Sequence, residues 1–227
     1  MFTEKLRLLA GWPMIEYYAA RAKEYDRVYL KPERQTDLRS IEKWVATKFQ
    51  NEGVLEIACG TGYWTQFIAP VATHVLAIDG ALETIRIAES RVPSSKVEFV
   101  VGDAYALPEL AADFSSAFAG FWFSHIPKAR VCEFLKGLNF ALGPGAKVVF
   151  IDNLFVEGNS TPLSDRDVDG NTYQWRQLGD GSTYKVVKNF PTQEELRSDL
   201  AGIGQNVTYR EWTYFWSLEY LTDLPNS

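Results

Sequence analysis

Three acidic residues at the ends of short apolar runs are the side chains of this sequence best placed to bind a ligand. They are Glu56, Asp79 and Asp103, and the first precedes a Gly-x-Gly turn at Gly60 and Gly62. Glycine lets the backbone adopt positive φ and approach a ligand, and the helix that follows presents free N–H groups. A carboxylate at the second strand end can accept hydrogen bonds from both hydroxyls of a ribose. This spacing predicts a site for a ligand that contains a nucleoside.

The elements that position these acids are three consecutive strand units with helices between them. Segments 53–58, 74–79 and 97–102 are apolar strands, and 62–70 and 81–91 are amphipathic helices. Parallel strands joined in this way end at one edge of a sheet, where open α/β folds bind ligands. We therefore expect the three carboxylates at the same carboxyl edge.

This arrangement resembles the S-adenosylmethionine-dependent methyltransferases with a Rossmann-like (class I) fold. The similarity is strongest to the small-molecule type that includes the quinone-biosynthesis methyltransferases. It is carried by Val-Leu-Glu-Ile-Ala-Cys-Gly-Thr-Gly at 54–62 and by the two later acidic strand ends, and it covers roughly residues 50–155. The resemblance implies S-adenosylmethionine as the cofactor and transfer of its methyl group to oxygen or nitrogen of a small acceptor.

The resemblance also implies which residues hold the cofactor. Asp79, followed by Gly80, would take the ribose, and an N-terminal helix would cover the cofactor. The other assignments are Glu56, Ala58, Gly60, Thr61 and Gly62 at the amino-acid end, Asp103 and Ala104 at the adenine, Phe121 at the methionine end, and Tyr18 and Tyr25 from the covering helix.

Two alternatives remain beside methyl transfer. A dinucleotide-dependent oxidoreductase would have a third glycine three residues after Gly62, where this chain has Thr65, and would not favour Glu56 beside phosphates. A ligand with a sulfonium and an ammonium but no phosphate suits that acid better. The second alternative is a protein of the same fold that binds the cofactor without transferring a methyl group.

His125 is the candidate catalytic residue, since it is one of two histidines and follows the fourth predicted strand. An imidazole with a pKa near neutrality could deprotonate a hydroxyl or an amine there. The same residue could instead cap the helix that begins near Pro127.

Aromatic residues, which make up 14% of the chain, suggest an apolar or aromatic acceptor. Core packing is the other explanation for these side chains. The candidates for the acceptor pocket are Trp122, Trp175, Tyr214, Phe215 and Trp216.

The predicted fold is a single α/β Rossmann-like domain over 1–227, a mostly parallel sheet with an antiparallel edge strand and helices on both faces. Residues 1–48 form an N-terminal helical cap, and 155–191 an insertion with a β-hairpin around Gly179-Asp180-Gly181. The remaining predicted elements are helices over 3–29 (broken at 11–13), 34–48, 127–142 and after Thr192, and strands 114–122, 147–152, 172–178, 182–188, 205–211 and 213–219.

The bulk properties limit the possible partners and location. A formal charge of −6 with scattered Lys and Arg argues against nucleic acid, and no apolar run is long enough for a signal peptide or a membrane span. Cys59 and Cys132 are unsuited to a disulfide, so a cytoplasmic location is expected. A small-molecule acceptor, no metal and a possible homodimer complete the expectations.

Overall fold

The computed structural model describes residues 12–110 and 113–223. The predicted helix over residues 3–29 therefore lies partly outside the described residues. The helices are α1 (Trp12–Arg21), α2 (Gln35–Lys48), α3 (Thr65–Ile68), α4 (Leu82–Arg91), α5 (Val131–Leu142) and α6 (Gln193–Asp199), with 3-10 helices at Ala22–Tyr29, Pro32–Arg34, Phe123–His125 and Lys128–Arg130. The strands are β1 (Gly53–Ile57), β2 (His74–Asp79), β3 (Val97–Val101), β4 (Ser116–Gly120), β5 (Lys147–Asn153), β6 (Asp165–Arg166), β7 (Thr172–Gln177), β8 (Thr183–Val187), β9 (Gly204–Glu211) and β10 (Phe215–Thr222).

Seven strands form the main sheet in the order β3-β2-β1-β4-β5-β10-β9. The first five are parallel, and β10 runs antiparallel to both β5 and β9. The predicted Rossmann-like sheet with an antiparallel edge is confirmed. The antiparallel part comprises two strands, because β10 lies between β5 and the outer strand β9.

Alternating side chains of the central strands build a core on each face of the sheet. In β5, Val148 and Phe150 pack on one side with α5 and α6, while Val149 and Ile151 pack on the other with α2, α3 and α4. This period of two is what a strand buried on both faces requires. Helices on both faces, as predicted, therefore cover the sheet.

The predicted hairpin is β7–β8, and it forms a separate small antiparallel sheet with β6. Its turn contains Gly181 at φ +89. The predicted insertion 155–191 also contains the two-residue strand β6, which the sequence pattern could not indicate because both residues are charged and exposed. After the hairpin, Thr192 caps α6 in a capping box with Glu195, as predicted.

The described part of the N-terminal cap is α1 followed by a 3-10 helix, where the sequence predicted one helical segment after a break. Tyr17 of α1 packs against Leu178 and Val186 of the hairpin. The cap therefore lies between the hairpin and the carboxyl edge of the main sheet.

Candidate functional site

Glu56, at the carboxyl end of β1, is a buried acid with one unsatisfied oxygen. The residue is 1% exposed, and its Oε2 has no hydrogen-bond partner within the part of the chain that the structure describes. Burial raises the pKa of this carboxyl to about 8. An unpaired buried carboxylate is unfavourable, so a cationic group placed beside it would be stabilised.

The turn after β1 follows a backbone path that favours glycine. Gly60 has φ +56 and Gly62 has φ +76, and a Cβ on the latter would lie 3.0 Å from the Cα of Ala88 in α4. Ala58 also has a positive φ, at +51, which is a backbone conformation that residues other than glycine rarely adopt. Such strain is typical of ligand-binding turns.

Asp79 joins this turn to the end of β2. Its Oδ2 accepts a hydrogen bond from Gly60 N at 2.9 Å, and its Oδ1 accepts from Ala81 N at 2.9 Å and from Thr84 Oγ1 at 2.8 Å. A carboxylate has about four acceptor positions. Three are used within the protein, which leaves about one of the two predicted ribose hydrogen bonds to this side chain.

Exposed apolar side chains surround Gly80 at the same edge. Val101, which pairs with Asp79 across the β2–β3 ladder, is 50% exposed, and Leu82 is 44% exposed. Ile15 from α1 lies close to Gly80, where an added Cβ would meet its Cγ1 at 3.3 Å.

Asp103 is the polar group at this end of the sheet. It is exposed, and its Oδ1 accepts from the backbone N–H of Tyr105 at 2.9 Å. Ala104, which is half-buried, follows it. A flat apolar ring with a polar edge fits such a surface.

The N-terminal cap is fastened to the glycine turn by Asp26. Its Oδ1 accepts from Thr61 Oγ1 at 2.6 Å, and its other oxygen pairs with Arg91 of α4. Arg91 also donates to the Thr61 carbonyl at 2.8 Å. Tyr25, one residue before Asp26, lies over Gly60. The predicted covering role of this segment is therefore compatible with its position.

A cavity lies beside this turn, between the cap, the hairpin and the ends of β4 and β5. Its volume is about 100 Å³, and Phe121, at φ +60 directly after β4, forms part of its wall. The lining residues are Tyr17, Tyr18, Arg21, Tyr25, Val28, Lys31, Arg34, Phe121, His125, Asn153, Ser160, Thr161, Gln174, Arg176, Val186, Lys188 and Phe190.

The five aromatic residues expected at the acceptor pocket do not line this cavity. Phe215 and Trp216 are 1% and 0% exposed in the core, and Trp175 borders a neighbouring cavity instead. Strand β10 is an interior strand rather than the sheet edge, so its aromatic side chains fill the core. The aromatic wall of the cavity comes from the cap, Phe121 and Phe190.

His125 lines the cavity, with both ring nitrogens in hydrogen bonds. Nδ1 lies 2.7 Å from the Val187 carbonyl oxygen, so Nδ1 carries the proton and donates. Nε2 is therefore the acceptor for the hydroxyl of Tyr18, at 2.9 Å. Burial and the nearby Lys188 lower the pKa of His125 to about 3, so the ring is neutral at pH 7 and its pKa is not near neutrality as predicted. Tyr18, predicted at the cofactor, lines the same cavity as His125.

A buried ion pair beneath His125 was not predicted. Lys188 Nζ lies 3.0 Å from Asp152 Oδ1, and Ser124 N donates to the second Asp152 oxygen at 2.9 Å. Burial opposes ionisation of Asp152, but Lys188 and the backbone N–H groups outweigh it and lower its pKa. The signal in the sequence was a fourth acidic strand end, on β5.

Comparison with known proteins finds a methyltransferase domain within this chain. A model described as "Methyltransferase domain" matches residues 54–145, the segment from β1 to the start of β5. Over this segment the chain resembles the class I methyltransferases. Over 98 residues it is 31% identical to a demethylmenaquinone methyltransferase of Renibacterium salmoninarum, and over 132 residues it is 30% identical to an uncharacterized methyltransferase of Alkaliphilus oremlandii. These matches span 42% and 58% of the methyltransferase chain described here, but only 39% and 58% of the two relatives.

Similar solved structures include two complexes of one protein. The DhpI–SAM–HEP complex superimposes with a TM-score of 0.76 and 29% identity, covering 92% of this chain and 95% of that one. The DhpI–SAH complex gives 0.77 and 27% with the same coverage. At 92% coverage, these likenesses extend well beyond the matched domain segment.

Two structural findings bear on other classes of site. Within residues 12–110 and 113–223, no helix combines the length and apolar character needed to cross a membrane. The same ranges contain no group of three His, Cys, Asp or Glu side chains able to hold a metal ion.

Proposed function

We propose that this protein transfers the methyl group of S-adenosylmethionine to an oxygen or nitrogen of a small acceptor. The observation that carries the proposal is the unpaired, buried carboxylate of Glu56 beside the positive-φ turn at Gly60 and Gly62. S-adenosylmethionine has an ammonium group, a sulfonium and no phosphate. A buried acid would stabilise such a ligand and would repel a pyrophosphate.

The binding residues divide along the edge of the sheet. Glu56 and the backbone of 58–62 hold the amino-acid end, and Asp79 both braces the turn and accepts from a ribose hydroxyl. The exposed surface around Val101 and Asp103 takes the adenine. The cap closes over the turn through Asp26.

The cavity beside Phe121 holds the acceptor. The cofactor supplies a methyl group activated by a positively charged sulfur. The protein's contribution is to hold the acceptor atom in line with that methyl group and to exclude water, since orientation alone can supply about 7–11 kcal/mol of the barrier. The aromatic rings of Tyr18, Tyr25 and Phe121 give that part of the wall the apolar character expected for the acceptor.

A proton from the acceptor would leave through Tyr18. Because His125 Nε2 accepts from the Tyr18 hydroxyl, His125 acts as a base through that hydroxyl and not by direct contact. The Nδ1–H hydrogen bond to the Val187 carbonyl holds the imidazole in the tautomer that this requires.

Calorimetry with S-adenosylhomocysteine and with NAD tests the cofactor. We expect saturable binding of S-adenosylhomocysteine and no binding of NAD. Glu56→Gln should weaken the binding of S-adenosylhomocysteine, and Glu89→Gln, at an exposed position on α4, is the matched control. Binding of NAD alone would refute the proposal in favour of an oxidoreductase. Cofactor binding without methyl transfer to any acceptor in an extract would favour the non-methylating alternative.

The acceptor and the location are proposed from the same features. A concave cavity lined by aromatic side chains and a few polar groups suits a small molecule. Cys59 and Cys132 are both free thiols, which suits a reducing cytoplasm.

A further inference from the structure

The acceptor cavity is strongly cationic. Five of its lining side chains are basic and none is a carboxylate. This contrasts with the whole chain, whose formal charge is −6. The basic residues come from separate segments: Arg21, Lys31 and Arg34 from the cap, Arg176 from β7 and Lys188 directly after β8.

Carboxylates neutralise only part of this charge. Lys188 is paired with Asp152. Glu33 lies near Lys31 and Arg34, but it is exposed outside the cavity lining and accepts from Asn159.

Arg21 and Arg176 form no ion pair within the residues that the structure describes. Arg176 donates to Thr161 Oγ1 at 2.8 Å and to Gln174 Oε1 at 2.6 Å, and Arg21 donates to Tyr17 Oη at 2.7 Å. These partners are all neutral.

Arg34 also has neutral hydrogen-bond partners, and it is only 7% exposed. Its guanidinium donates to Asn153 Oδ1 at 2.9 Å and Asn159 Oδ1 at 2.8 Å. Burial lowers the pKa of both Arg34 and Arg176. The positive charge of Arg176 lowers the pKa of Arg34 further, and that of Arg21 lowers the pKa of Arg176 further. Buried cations with only neutral partners are unfavourable unless a further group compensates them.

We infer that the acceptor carries an oxyanion, such as a phosphoryl, sulfuryl or carboxylate group, which binds among Arg21, Arg34 and Arg176. This inference deepens the proposed function and rests on it. Arginine is suited to the task because its planar fork of N–H donors matches the paired oxygens of these groups. The neutral amide and hydroxyl partners hold each fork in position without cancelling its charge.

The cations and the aromatic rings occupy one cavity, so they also orient the acceptor. Arg21 lies 5.2 Å from the centroid of the Tyr25 ring, and that ring lies over Gly60 of the turn. The oxyanion would therefore be fixed by the arginines while another part of the acceptor faces the cofactor side. Cations beside an aromatic wall distinguish this cavity from the apolar pocket that the sequence suggested.

The test is titration of the protein with inorganic phosphate, sulfate and acetate at constant ionic strength, by calorimetry, with and without S-adenosylhomocysteine. We expect saturable binding of at least one oxyanion, at least about tenfold weaker in Arg176→Gln. Arg86→Gln, an exposed arginine of α4 outside the cavity, is the matched control and should bind as the wild type does. Arg176→Lys keeps the charge and should retain part of the affinity. Tighter binding of phosphate or sulfate would identify a tetrahedral acceptor group, and tighter binding of acetate a carboxylate.

The outcomes separate this inference from the proposed function. S-adenosylhomocysteine should bind to Arg176→Gln with unchanged affinity, which also shows that the variant is folded. If the cofactor product binds but no oxyanion binds saturably, or if Arg176→Gln binds oxyanions like the wild type, the inference is overturned and the proposed function stands. If oxyanions bind but S-adenosylhomocysteine and S-adenosylmethionine do not, the proposed function fails.

Discussion

Replacing Glu56 with glutamine should stabilise the free protein while weakening cofactor binding. The carboxyl has a pKa of about 8 in the folded chain, because burial disfavours its charged form. In the unfolded chain the pKa is about 4.5. Between these two values the folded state retains a proton that the unfolded state has released, so the free energy of unfolding falls as pH rises through this window.

The magnitude follows from the width of the window. Each pKa unit corresponds to about 1.4 kcal/mol, so ionisation in the unfolded chain lowers the wild-type free energy of unfolding by about 3 kcal/mol at pH 7. Glutamine has nearly the same shape and does not ionise, so the variant lacks this loss. The difference in the free energy of unfolding between Glu56→Gln and wild type should be near its minimum below about pH 4 and should grow until about pH 8.

Urea unfolding at several pH values measures this difference, and calorimetry with S-adenosylhomocysteine measures binding. We expect the ligand to release a proton from Glu56 at pH 7, so the binding enthalpy of the wild type should depend on the ionisation enthalpy of the buffer. Glu89→Gln, an exposed residue of α4, should show neither effect. If the stability that Glu56→Gln gains over wild type is no larger at pH 8 than at pH 4, the assignment of a buried, unpaired acid is refuted.

Four further changes test the rest of the site. Asp79→Asn places an N–H group against an N–H donor of the turn, so S-adenosylhomocysteine should bind at least about tenfold more weakly by calorimetry, and wild-type affinity would contradict the bracing role. His125→Gln and Tyr18→Phe should each lower turnover by about 10²–10⁴ with cofactor affinity unchanged, whereas losses below about fivefold would indicate an acceptor that is already ionised. The pKa of His125 is about 3, so the pH–rate profile should show no ascending limb near neutrality from this residue. Replacing 172–188 with a short linker should leave cofactor binding intact. It should abolish either turnover of the acceptor or dimerisation measured by light scattering. If turnover and dimerisation are both retained, the hairpin is dispensable.

The fold was predictable because its signals are local and periodic. The strand at 147–152 is apolar throughout, and its buried side chains alternate between the two cores. The capping box at Thr192 is likewise a short-range pattern. The position of β10 between β5 and β9 was not predictable, because strand order in a sheet depends on pairing between distant segments.

The shared edge of the three acidic strand ends was predictable for the same reason. In a parallel sheet the ends of β1, β2 and β3 share one edge, so three acidic strand ends in register indicate one site. The internal hydrogen bonds of Asp79 were not foreseeable, because they depend on the path of the turn at Gly60 and of the start of α4. Sequence analysis therefore named Asp79 for the cofactor but did not anticipate the hydrogen bonds that this side chain accepts within the protein.

The cationic wall of the cavity could not be read from the sequence because its members share no motif. Arg21, Arg34 and Arg176 are scattered along a chain with net negative charge, and only the packing of the cap against the hairpin brings them together. The scattered positions of Lys and Arg in the sequence argued against a polyanion such as nucleic acid. They gave no sign of the local positive site, which is suited to a small anion.

The charge of the cavity also links the acceptor to the base. Burial lowers the pKa of His125, and Lys188 and Arg176 add to this effect because they lie near the ring. An oxyanion bound beside Arg176 would offset that positive charge, and so it would raise the pKa of His125. The imidazole would then accept a proton through Tyr18 more readily when the cavity is occupied than when it is empty. In this arrangement the group that anchors the acceptor also increases the basicity of the residue that deprotonates it.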